Sequence, residues 1–486
     1  MSLLGSTVDG DGSNSSVHSA AREPLLLALM IAWAPHEPER VGEVALFDKD
    51  GGSRIFGRGG SDVDDGKRVV FFRQRPGSLE RAAPISSPGL SREQLRLRVD
   101  RNRLCLDRIG KCALKVNGQY LDQCSIGPGD LVLLKGQMLF YCTMRPRNMA
   151  RLQSAEPSAT HGFGEADAHG IVGESAVAWQ LRDKLAWAGK IEEHTLFLGG
   201  SGSGKELCAR AVHALSKRAN GPFVARNAAT IPAGIIDAEL FGNVKNYPNP
   251  GMPERPGLIG SAHGGTLFLD EVGELSATLQ ANLLRVLDAG GEYHNLGGAT
   301  TKHSHFRLLG ATNRHPSELK HDFAARLILR IPVPGLDDRR EDIPLLIRHS
   351  LHRARAKSPE AVARFFEAKS GQRSEPNLKS NVIEALMKHS FATNVRELDA
   401  LLWQAMASST GDVIEWSDAL REQRLNPPTD ERDVVSDNEE EMVAESKVRA
   451  ALAHCGGNVA QAAQALGLPT RYVLYRLMKK YGIRTG

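Results

Sequence analysis

Long apolar stretches are missing from this chain of 486 residues. The one apolar run near its start, PLLLALMIAWAP from Pro24, is about ten residues long, whereas a membrane-spanning helix needs about twenty. The run therefore predicts a buried strand, and no membrane partner is expected. The preceding stretch, STVDGDGSNSSVHS, lacks the cationic head of a secretory signal. We expect residues 1–23 to be disordered and the protein not to be exported.

Paired cysteines and a strong charge of one sign are missing as well. The six cysteines form no CxxC pair and have no metal-ligand spacing, which favours reduced thiols in a cytoplasm over disulfides or a zinc site. The formal net charge is only +4, which is too small to indicate a nucleic-acid partner for the chain as a whole. The distribution of charge along the chain has to decide that question.

Turn signals, helical patterns and polar linkers divide the chain into parts, and a hydrophobic content of 41% is enough for more than one core. Residues 24–146 consist of short apolar runs broken by turns, which predicts an all-β sandwich. Residues 147–170 have little apolar content and are expected to form a linker. In residues 171–336, strand-like runs alternate with helical patterns, which predicts a parallel α/β sheet with helices on both faces. Residues 337–420 contain no strand-like run, so we expect a small helical lid.

The remaining part of the chain changes the sign of its charge. Residues 421–441 are polar and strongly acidic, as expected for a flexible linker. Residues 442–486 are helical in pattern and basic, with Glu445 as the single acid. A basic, all-α tail favours DNA as a partner. The predicted architecture is therefore multidomain.

The stretch FLGGSGSGKE carries a GxxxxGK pattern between an apolar strand and the helical pattern ELCARAVHALSK. Glycines let the backbone curl with its N–H groups pointing inward, and the following helix N-terminus adds partial positive charge. We expect this loop to cradle phosphates while Lys205 reaches the terminal ones. The alternative is a glycine-rich turn that binds nothing. The residues assigned to nucleotide binding are Gly199, Gly200, Ser201, Gly202, Ser203, Gly204, Lys205 and Glu206.

A second strand-like run, GTLFLDE, ends in Asp270 and Glu271. Asp270 is expected to hold Mg²⁺, and Glu271 to orient and polarise the water that attacks the γ-phosphate of ATP. An acid pair alone is usually a solvated strand end, but such a pair after a phosphate loop is strong evidence for an ATPase. Glu206 stands where Ser or Thr usually follows the lysine. Magnesium must therefore depend on Asp270 and the phosphates.

From about Ile171 to Ile483 the chain resembles the AAA+ activators of sigma-54 RNA polymerase, also called bacterial enhancer-binding proteins. The resemblance rests on the ordered motifs IVGES, GGSGSGKE, AELFG, GGTLFLDEVGEL, GATNR, RREDIP and NVREL, and on the tail. It implies an AAA+ ATPase that uses ATP and Mg²⁺ and acts as a homo-oligomer, a hexameric ring when active. It also implies DNA and sigma-54 RNA polymerase as partners.

The resemblance assigns roles to further residues. It implies that Asn227 switches the catalytic glutamate, that Asn313 senses the γ-phosphate and that Arg396 of the lid contacts the nucleotide. Arg326 matches the second of two arginine fingers that enter a neighbouring subunit's site, and Lys320 stands at the first. Because lysine lacks the planar fork of arginine, weakened hydrolysis is expected. The alternative is that Lys320 simply faces solvent.

The loop between residues 242 and 264 departs from the family. The family's Gly-Ala-Phe-Thr-Gly-Ala motif, which touches sigma-54, is replaced here by Asn246, Tyr247, Pro248, Asn249, Pro250 and Gly251. Each proline fixes φ and removes an N–H, so a stiff series of turns is expected. The expectation is an ATPase scaffold that has lost the known contact surface for sigma-54.

In residues 24–146, the pairs Gly57-Arg58 and Ser91-Arg92 are followed by VNG at 116–118 and GPGD at 127–130. In this order they resemble a forkhead-associated (FHA) domain, a reader of phosphothreonine. Arg58, Arg92 and Ser91 would bind the phosphate, and Asn117 would hold the peptide backbone. Gln94 stands where the family usually has His. The alternative is a sandwich that is used only for docking.

The stretch GGNVAQAAQALGLPTRYVLYRLMKKYGI fits a helix-turn-helix and resembles the Fis-type module. Asn458 would cap its first helix, and Pro469 would open the second. A helical hairpin that only dimerises is the alternative. The predicted DNA contacts are Tyr472, Tyr475 and Arg476 at base edges, and Arg471, Lys479 and Lys480 at phosphates.

These patterns favour a cytoplasmic transcription regulator with an FHA sensor, an ATP-hydrolysing AAA+ ring and a tail that binds an upstream promoter or enhancer site. One alternative is a DNA-binding regulator or repressor in which ATP only controls oligomerisation, independent of sigma-54. Another is a phosphoprotein-binding adaptor with a relic ATPase core. The presence of Lys205, Asp270, Glu271 and Arg396 argues against the relic.

Overall fold

The computed structural model describes residues 24–49, 52–59, 66–155, 161–232, 234–288, 290–367, 374–417, 445–454 and 459–466, together with positions 474, 477, 478, 481 and 483. The chain forms two compact units, residues 1–417 and residues 418–486. Among the described helices, none is both long enough and apolar enough to cross a membrane.

The N-terminal part is a β-sandwich, as the turn-rich sequence predicts. One sheet has the order β5-β4-β2-β1-β12-β11-β8-β9, and the other has the order β10-β7-β6-β3. The strands β1 to β12 are Leu25–Trp33, Val44–Phe47, Arg54–Phe56, Phe72–Arg75, Ser78–Arg81, Leu95–Asp100, Arg103–Arg108, Leu114–Val116, Gln119–Tyr120, Gln123–Ile126, Leu131–Leu134 and Met138–Pro146.

The two sheets differ in how their faces are buried. In β6, LRLRVD alternates buried leucines with exposed arginines, so the outer face of the smaller sheet meets water. In β1 six consecutive residues are buried, and β2 and β11 are buried throughout. Only alternate residues of these strands enter the sandwich core, for example Leu29, while Met30 is equally buried on the other side. The larger sheet therefore lies against the rest of the unit with its second face.

The next part is an α/β domain with a parallel sheet of order β14-β15-β18-β13-β19. One apolar core fills each face of the sheet, which confirms the predicted layers. The strands β13 to β19 are Thr195–Leu198, Phe223–Asn227, Thr266–Asp270, Glu292–His294, Thr301–His303, Arg307–Thr312 and Leu329–Pro332. The helices α1 to α6 are Ala176–Lys190, Lys205–Ala214, Ile236–Phe241, Gly257–Ser261, Ala277–Asp288 and His321–Arg326.

The lid follows and is mainly helical. Its helices α7 to α10 are Ile343–Lys357, Pro359–Val362, Ser380–Lys388 and Asn394–Ser408. The expectation that this part has no strand is wrong in one detail, because β20 (Phe366–Glu367) and β21 (Glu375–Pro376) form a short antiparallel pair. Two residues per strand are too few to leave an alternating pattern in the sequence. Short 3-10 turns occur at Pro38–Arg40, Ala228–Thr230, Val272–Glu274, Pro316–Glu318, Asp337–Asp342 and Ala363–Phe365.

The second unit contains α11 (Glu445–His454) and α12 (Val459–Ala465) within its described residues. Their apolar faces share a small core with three described positions further along the chain. Helix α12 confirms the predicted first helix of the helix-turn-helix, while its predicted cap, Asn458, lies outside the described residues. The shared core is formed by Val448, Leu452, Val459, Ala462, Ala463, Leu474, Leu477 and Met478.

Candidate nucleotide site

The predicted phosphate loop connects β13 to α2 at the carboxyl edge of the sheet. Gly202 and Gly204 have φ values of 70° and 101°, which are accessible to glycine at little cost. Space matters as much as φ, because a Cβ atom on Gly202 would lie 2.2 Å from the carbonyl oxygen of Thr393. The loop therefore needs glycine both for its curl and for the close approach of the lid.

Lys205 begins α2, and its side chain is only 6% exposed. Its Nζ donates to the carbonyl oxygens of Gly199, at 2.9 Å, and Gly200, at 3.3 Å. The same Nζ lies 3.8 Å from Oε1 of Glu271. A buried ammonium group is costly unless negative charge or several acceptors surround it. The position is thus suited to a phosphate that lies over the loop.

The acid pair lies where the sequence predicts, at the end of β15. The backbone N–H of Glu271 donates to Oδ1 of Asp270 at 3.0 Å, and Glu271 has a left-handed φ of 52°. Oε2 of Glu271 accepts from the backbone N–H of Asn313 at 3.3 Å. The structure thus brings Glu271, Asn313 and Lys205 together at one edge of the sheet. Such an edge can hold a nucleophilic water between the carboxylate and a bound phosphate.

Asn227 ends β14 directly beside Asp270, since the two residues pair in the parallel register. Its Oδ1 accepts from the backbone N–H of Ala229 at 2.9 Å and so caps the turn Ala228–Thr230. Glu271 is held by Asn313 and Lys205. The switch role of Asn227 stays a prediction, and it requires the side chain to leave this cap.

The lid reaches the phosphate loop through the N-terminus of α10. Nη1 of Arg396 donates to Oγ of Ser201 at 3.1 Å, so the structure places this predicted nucleotide contact against the loop. The neighbouring Asn394 was not predicted from the sequence. Its Nδ2 donates to the carbonyl oxygen of Ser201 at 2.9 Å, while its Oδ1 accepts from the backbone N–H of Leu336 at 2.8 Å. Asn394 therefore joins the lid, the phosphate loop and the start of the lid segment.

A cavity of about 330 Å³ opens beside the loop, which is within the range of small-molecule sites. Three side-chain atoms in its lining have no hydrogen-bond partner within the described residues: Oγ of Ser203, Nε of Arg339 and Oγ of Ser350. All three residues are more than nine-tenths buried. Buried polar groups are nearly always paired in folded proteins, so these groups fit a polar ligand such as a nucleotide.

The chemistry of this lining was missed by the sequence reasoning. Burial lowers the pKa of the Arg339 guanidinium and raises the pKa of the Cys208 thiol to about 12, so Cys208 is neutral. Residues of the motif IVGES line one wall of the cavity, but the sequence pattern does not show that lid residues line another. The lining residues are Gly170, Ile171, Val172, Leu181, Gly202, Ser203, Gly204, Leu207, Cys208, Arg339, Leu346, His349, Ser350, Arg353, Val395, Arg396 and Asp399.

The remaining ATPase predictions lie on the surface. Glu206 is exposed and pairs with Arg210 one helical turn away. Arg326 is 55% exposed at the end of α6 and pairs with Asp288 at 2.6 Å. Lys320 is exposed, and its backbone N–H donates to Gln280. These positions leave Arg326 and Lys320 accessible to a second copy of the chain.

The proline-rich loop is compact and attached to the β16–β17 hairpin. Asn243 is buried, and its Nδ2 lies 3.0 Å from the carbonyl oxygens of both Val244 and Pro253. The backbone N–H of Val244 donates to the hairpin residue Leu296 at 3.1 Å. Residues 245–251 are all exposed. The predicted stiff turns thus form an exposed knob with a fixed base.

The structure brings three of the predicted phosphopeptide residues, Arg58, Ser91 and Arg92, together on two adjoining loops of the sandwich. Arg58 and Arg92 are exposed, and the backbone N–H of Arg58 donates to the carbonyl oxygen of Ser91 at 2.9 Å. Oγ of Ser91 accepts from the backbone N–H of Lys111 at 3.1 Å. Arg68, which the sequence did not single out, joins the two loops, because its Nη2 donates to the carbonyl oxygens of Gly59 and Arg92 as well as to that of Arg58.

The side-chain amides of Asn117, in an exposed turn, and of Gln94, in the interior, are both hydrogen-bonded within the sandwich. The amide of Asn117 donates to Asp130 at 2.7 Å and accepts from the backbone N–H of Leu131 at 3.0 Å. Gln94 is fully buried, and its amide donates to and accepts from the backbone of Cys112. The proposed contact of Asn117 with a peptide stays a prediction. The predicted DNA contacts Arg471, Tyr472, Tyr475, Arg476, Lys479 and Lys480 lie outside the described residues.

Comparisons with known proteins agree with this arrangement. Residues 171–336 match the family model of the sigma-54 interaction domain, residues 337–434 that of the AAA+ ATPase lid domain, and residues 446–481 that of the Fis family of bacterial regulatory proteins.

Among curated relatives, the Nif-specific regulatory protein of Klebsiella pneumoniae is 35% identical over 340 residues, which are 67% of this chain and 61% of that protein. The DNA-binding transcriptional regulator NtrC of Rhizobium meliloti is 37% identical over 251 residues, covering 50% of this chain and 49% of that protein. The crystal structure of NtrX from Brucella abortus in complex with ATP is 27% identical, with a TM-score of 0.45, and covers 66% of this chain and 70% of that chain. The chain thus spans about three fifths of the length of the Nif-specific regulatory proteins it matches. Its central and C-terminal parts thus match, in that order, a sigma-54 interaction domain, an AAA+ ATPase lid domain and the Fis family of bacterial regulatory proteins.

Proposed function

We propose that this chain is an ATP-hydrolysing, DNA-binding transcription regulator that works as a ring of identical copies. The observation that carries the proposal is the convergence of Lys205, Glu271 and the lid residue Arg396 on one loop. Beside it lies a cavity whose buried polar atoms find no partner among the described residues. That arrangement suits a nucleoside triphosphate, with its phosphates over the loop and its base in the cavity.

The residues divide the chemistry of hydrolysis between them. Backbone N–H groups of the loop and Lys205 bind the phosphates, and Arg396 reports their presence to the lid. Glu271 orients the attacking water, since its carboxylate lies at the same edge of the sheet as Asn313. Asp270, at the end of the strand, would hold Mg²⁺. Bound Mg²⁺ would supply positive charge against the phosphate oxygens.

A ring is part of the proposal because Arg326 is exposed on its own subunit. Arg326 is not among the residues that line the cavity of its own subunit, so it would act on a nucleotide held by a neighbour, where an arginine finger stabilises charge in the transition state. Lys320, which directly precedes α6, would supply a second but less directional charge. The Fis-type tail would place the ring at an upstream promoter or enhancer site. A ring of six copies would raise the affinity for DNA through multivalency.

The proposed target is RNA polymerase that carries sigma-54, and the match of residues 171–336 to the sigma-54 interaction domain supports it. The decisive experiment measures steady-state hydrolysis at high protein concentration and open-complex formation with sigma-54 holoenzyme at the protein's own promoter. We expect hydrolysis in the wild type, whereas open-complex formation decides whether sigma-54 is engaged without the contact motif of the family. Glu271→Gln should keep nucleotide binding and lose at least about a hundredfold in hydrolysis. Undetectable hydrolysis by the wild type would show the motor proposal to be wrong.

A second candidate function is favoured by the proline-rich knob. Residues 246–251 lack the Phe and Thr of the family motif, and Asn243 fixes the base of the loop. In this alternative, ATP controls only the oligomeric state of a DNA-binding regulator or repressor that is independent of sigma-54. Hydrolysis without open-complex formation on sigma-54 promoters would favour it over the first candidate.

We also propose that the sandwich is an FHA-type sensor for a phosphothreonine protein. The exposed guanidinium groups of Arg58 and Arg92 and the hydroxyl of Ser91 lie on two loops that Arg68 holds together. Guanidinium groups bind phosphate through charge-assisted hydrogen bonds, which supports this assignment.

A further inference from the structure

The lid and the α/β domain meet at the start of α1, where Asp342 connects them. Oδ1 of Asp342 accepts from the backbone N–H groups of Glu174 and Ser175, both at 2.9 Å. Oδ2 accepts from Oγ of Ser175 at 2.6 Å. Helix α1 and the segment 171–172 before it form part of the wall of the nucleotide cavity. This junction therefore sets the angle between the lid and that wall.

Two arginines of the sandwich enter the junction. Arg75 of β4 binds Glu174 with two hydrogen bonds, from Nε to Oε2 at 3.1 Å and from Nη2 to Oε1 at 2.6 Å. Arg145 of β12 binds Glu341 of the lid, from Nε to Oε2 at 2.8 Å. The side chains of Arg145 and Glu174 are only 3% and 2% exposed. These ion pairs are largely buried, so losing one partner leaves an uncompensated charge away from solvent.

Arg145 contacts both sides of the junction at once. While its Nε binds Glu341 of the lid, its Nη1 donates to the backbone carbonyl oxygen of Glu174 in the α/β domain at 3.0 Å. A rotation of the lid away from the α/β domain would separate these two acceptors. One guanidinium group could not then satisfy both of them.

The sandwich holds the lid at two further points. Lys115 of β8 pairs with Glu384 of α9 at 3.3 Å, and the indole N–H of Trp33 donates to the carbonyl oxygen of Leu378 at 2.9 Å. The second face of the larger sheet is buried along β1, β2 and β11. The sandwich is therefore packed against the ATPase over a broad surface.

We propose that the sandwich is a brace that keeps the lid closed over the nucleotide cavity, with Arg145 as its positioning residue. Closure matters because α10 of the lid carries Asn394 and Arg396 onto the phosphate loop. Arg145 acts through the angle of the lid and not through contact with nucleotide. The inference rests on the proposed nucleotide site for the predicted change in nucleotide release. The restraint of the lid by the sandwich does not depend on that site.

The test uses the full chain and measures how fast a fluorescent ADP analogue dissociates in stopped flow. Arg145→Ala is expected to release the analogue about tenfold faster than the wild type, a coupling in the range usual between protein sites. Arg147→Ala is the matched control, because Arg147 is an exposed arginine that follows β12 and pairs with Asp48. It removes the same charge, and its release rate should equal that of the wild type. Arg145→Lys should restore the slow release only in part, since an ammonium group cannot bind both Glu341 and the carbonyl oxygen of Glu174 in fork geometry.

Hydrogen exchange of α9 and α10 in nucleotide-free protein gives a second readout. Arg145→Ala should speed exchange in these lid helices while the core strands of the sandwich stay protected. Unchanged release with a folded Arg145→Ala variant would overturn the brace, and so would unchanged lid exchange.

If the wild type binds no nucleotide, the proposed function fails, and lid exchange alone then decides the brace. If Arg145→Ala does not fold, Lys115→Ala takes its place, because the ion pair of Lys115 with Glu384 is less buried than that of Arg145 with Glu341. We expect it to speed release about threefold. No change in either release or lid exchange would refute the brace.

Discussion

The two proposed phosphate sites of the molecule present positive charge in different ways. The ATPase loop uses backbone N–H groups and the nearly buried Lys205, with the lid residue Arg396 closing over it. The sandwich edge uses the exposed side chains of Arg58 and Arg92. Charges in a site that excludes water interact strongly, whereas exposed charges are screened by water and salt. The first region should therefore depend steeply on single residues, and the second only weakly.

Lys205→Ala gives the largest expected effect. The affinity for ATP should fall about a thousandfold, because the buried ammonium group has no substitute among the loop's backbone groups. Titration with a fluorescent ATP analogue measures this loss. Lys217→Ala, at an exposed lysine after α2, is the matched control and should bind as the wild type does. A loss of less than about tenfold would mean that burial does not decide the strength of the site.

Arg326→Ala tests whether the exposure of a charge in a single subunit predicts how much that charge contributes to function. If Arg326 acts in a neighbour's site, it is buried in the ring, and hydrolysis should fall about a hundredfold while nucleotide affinity stays the same. Steady-state ATPase assays over a range of protein concentrations check this result. Arg330→Ala, at another exposed arginine nearby, serves as the control. A proportional fall in nucleotide affinity would contradict action in trans.

Replacing both Arg58 and Arg92 by Ala should weaken binding of a phosphothreonine peptide about tenfold at low salt and less at high salt. Fluorescence anisotropy at two ionic strengths measures the difference. The control is the double change Arg96→Ala and Arg98→Ala on β6, which removes the same charge from exposed positions. Equal losses in the two double variants would show that general charge, and not a site, attracts the peptide.

Asn117 gives the smallest expected effect because its amide is committed to the turn. Asn117→Gly keeps the left-handed φ of 49° but removes the bonds to Asp130 and Leu131, so the free energy of unfolding should fall by about 1 kcal/mol. Asn117→Ala adds backbone strain and should cost more. Urea unfolding monitored by fluorescence measures both values. A loss of peptide binding without loss of stability would instead place Asn117 in the binding site.

Local rules explain why the ATPase loop could be predicted from the sequence. A backbone that curls around phosphate requires glycine at positions such as 202 and 204, and the adjoining strand and helix leave clear periodic patterns. The acid pair follows from the same logic, because carboxyl ends of parallel strands meet at one edge. The family match of residues 171–336 agrees with these predictions.

Distant contacts explain what the sequence could not reveal. Asn394 joins Ser201 to Leu336, and Arg145 joins Glu174 to Glu341, but no local pattern pairs residues so far apart in the chain. The apolar run of β1 predicted a buried strand, yet it gave no sign of what covers the second face. Residues 161–164 of the predicted linker also pack against the sandwich, since Arg75 of β4 donates to the carbonyl oxygens of His161 and Gly162.

The second face of the larger sheet has a consequence for how the first unit melts. A sandwich whose outer faces meet water can unfold by itself, because its unfolding exposes no apolar surface of a neighbouring domain. Here the strands from 25 to 33 and from 131 to 134 bury apolar side chains on both of their faces. Melting of the sandwich would also expose apolar surface on the ATPase. We therefore expect the two folds to melt together, so that a ligand that binds either fold raises the melting temperature of both.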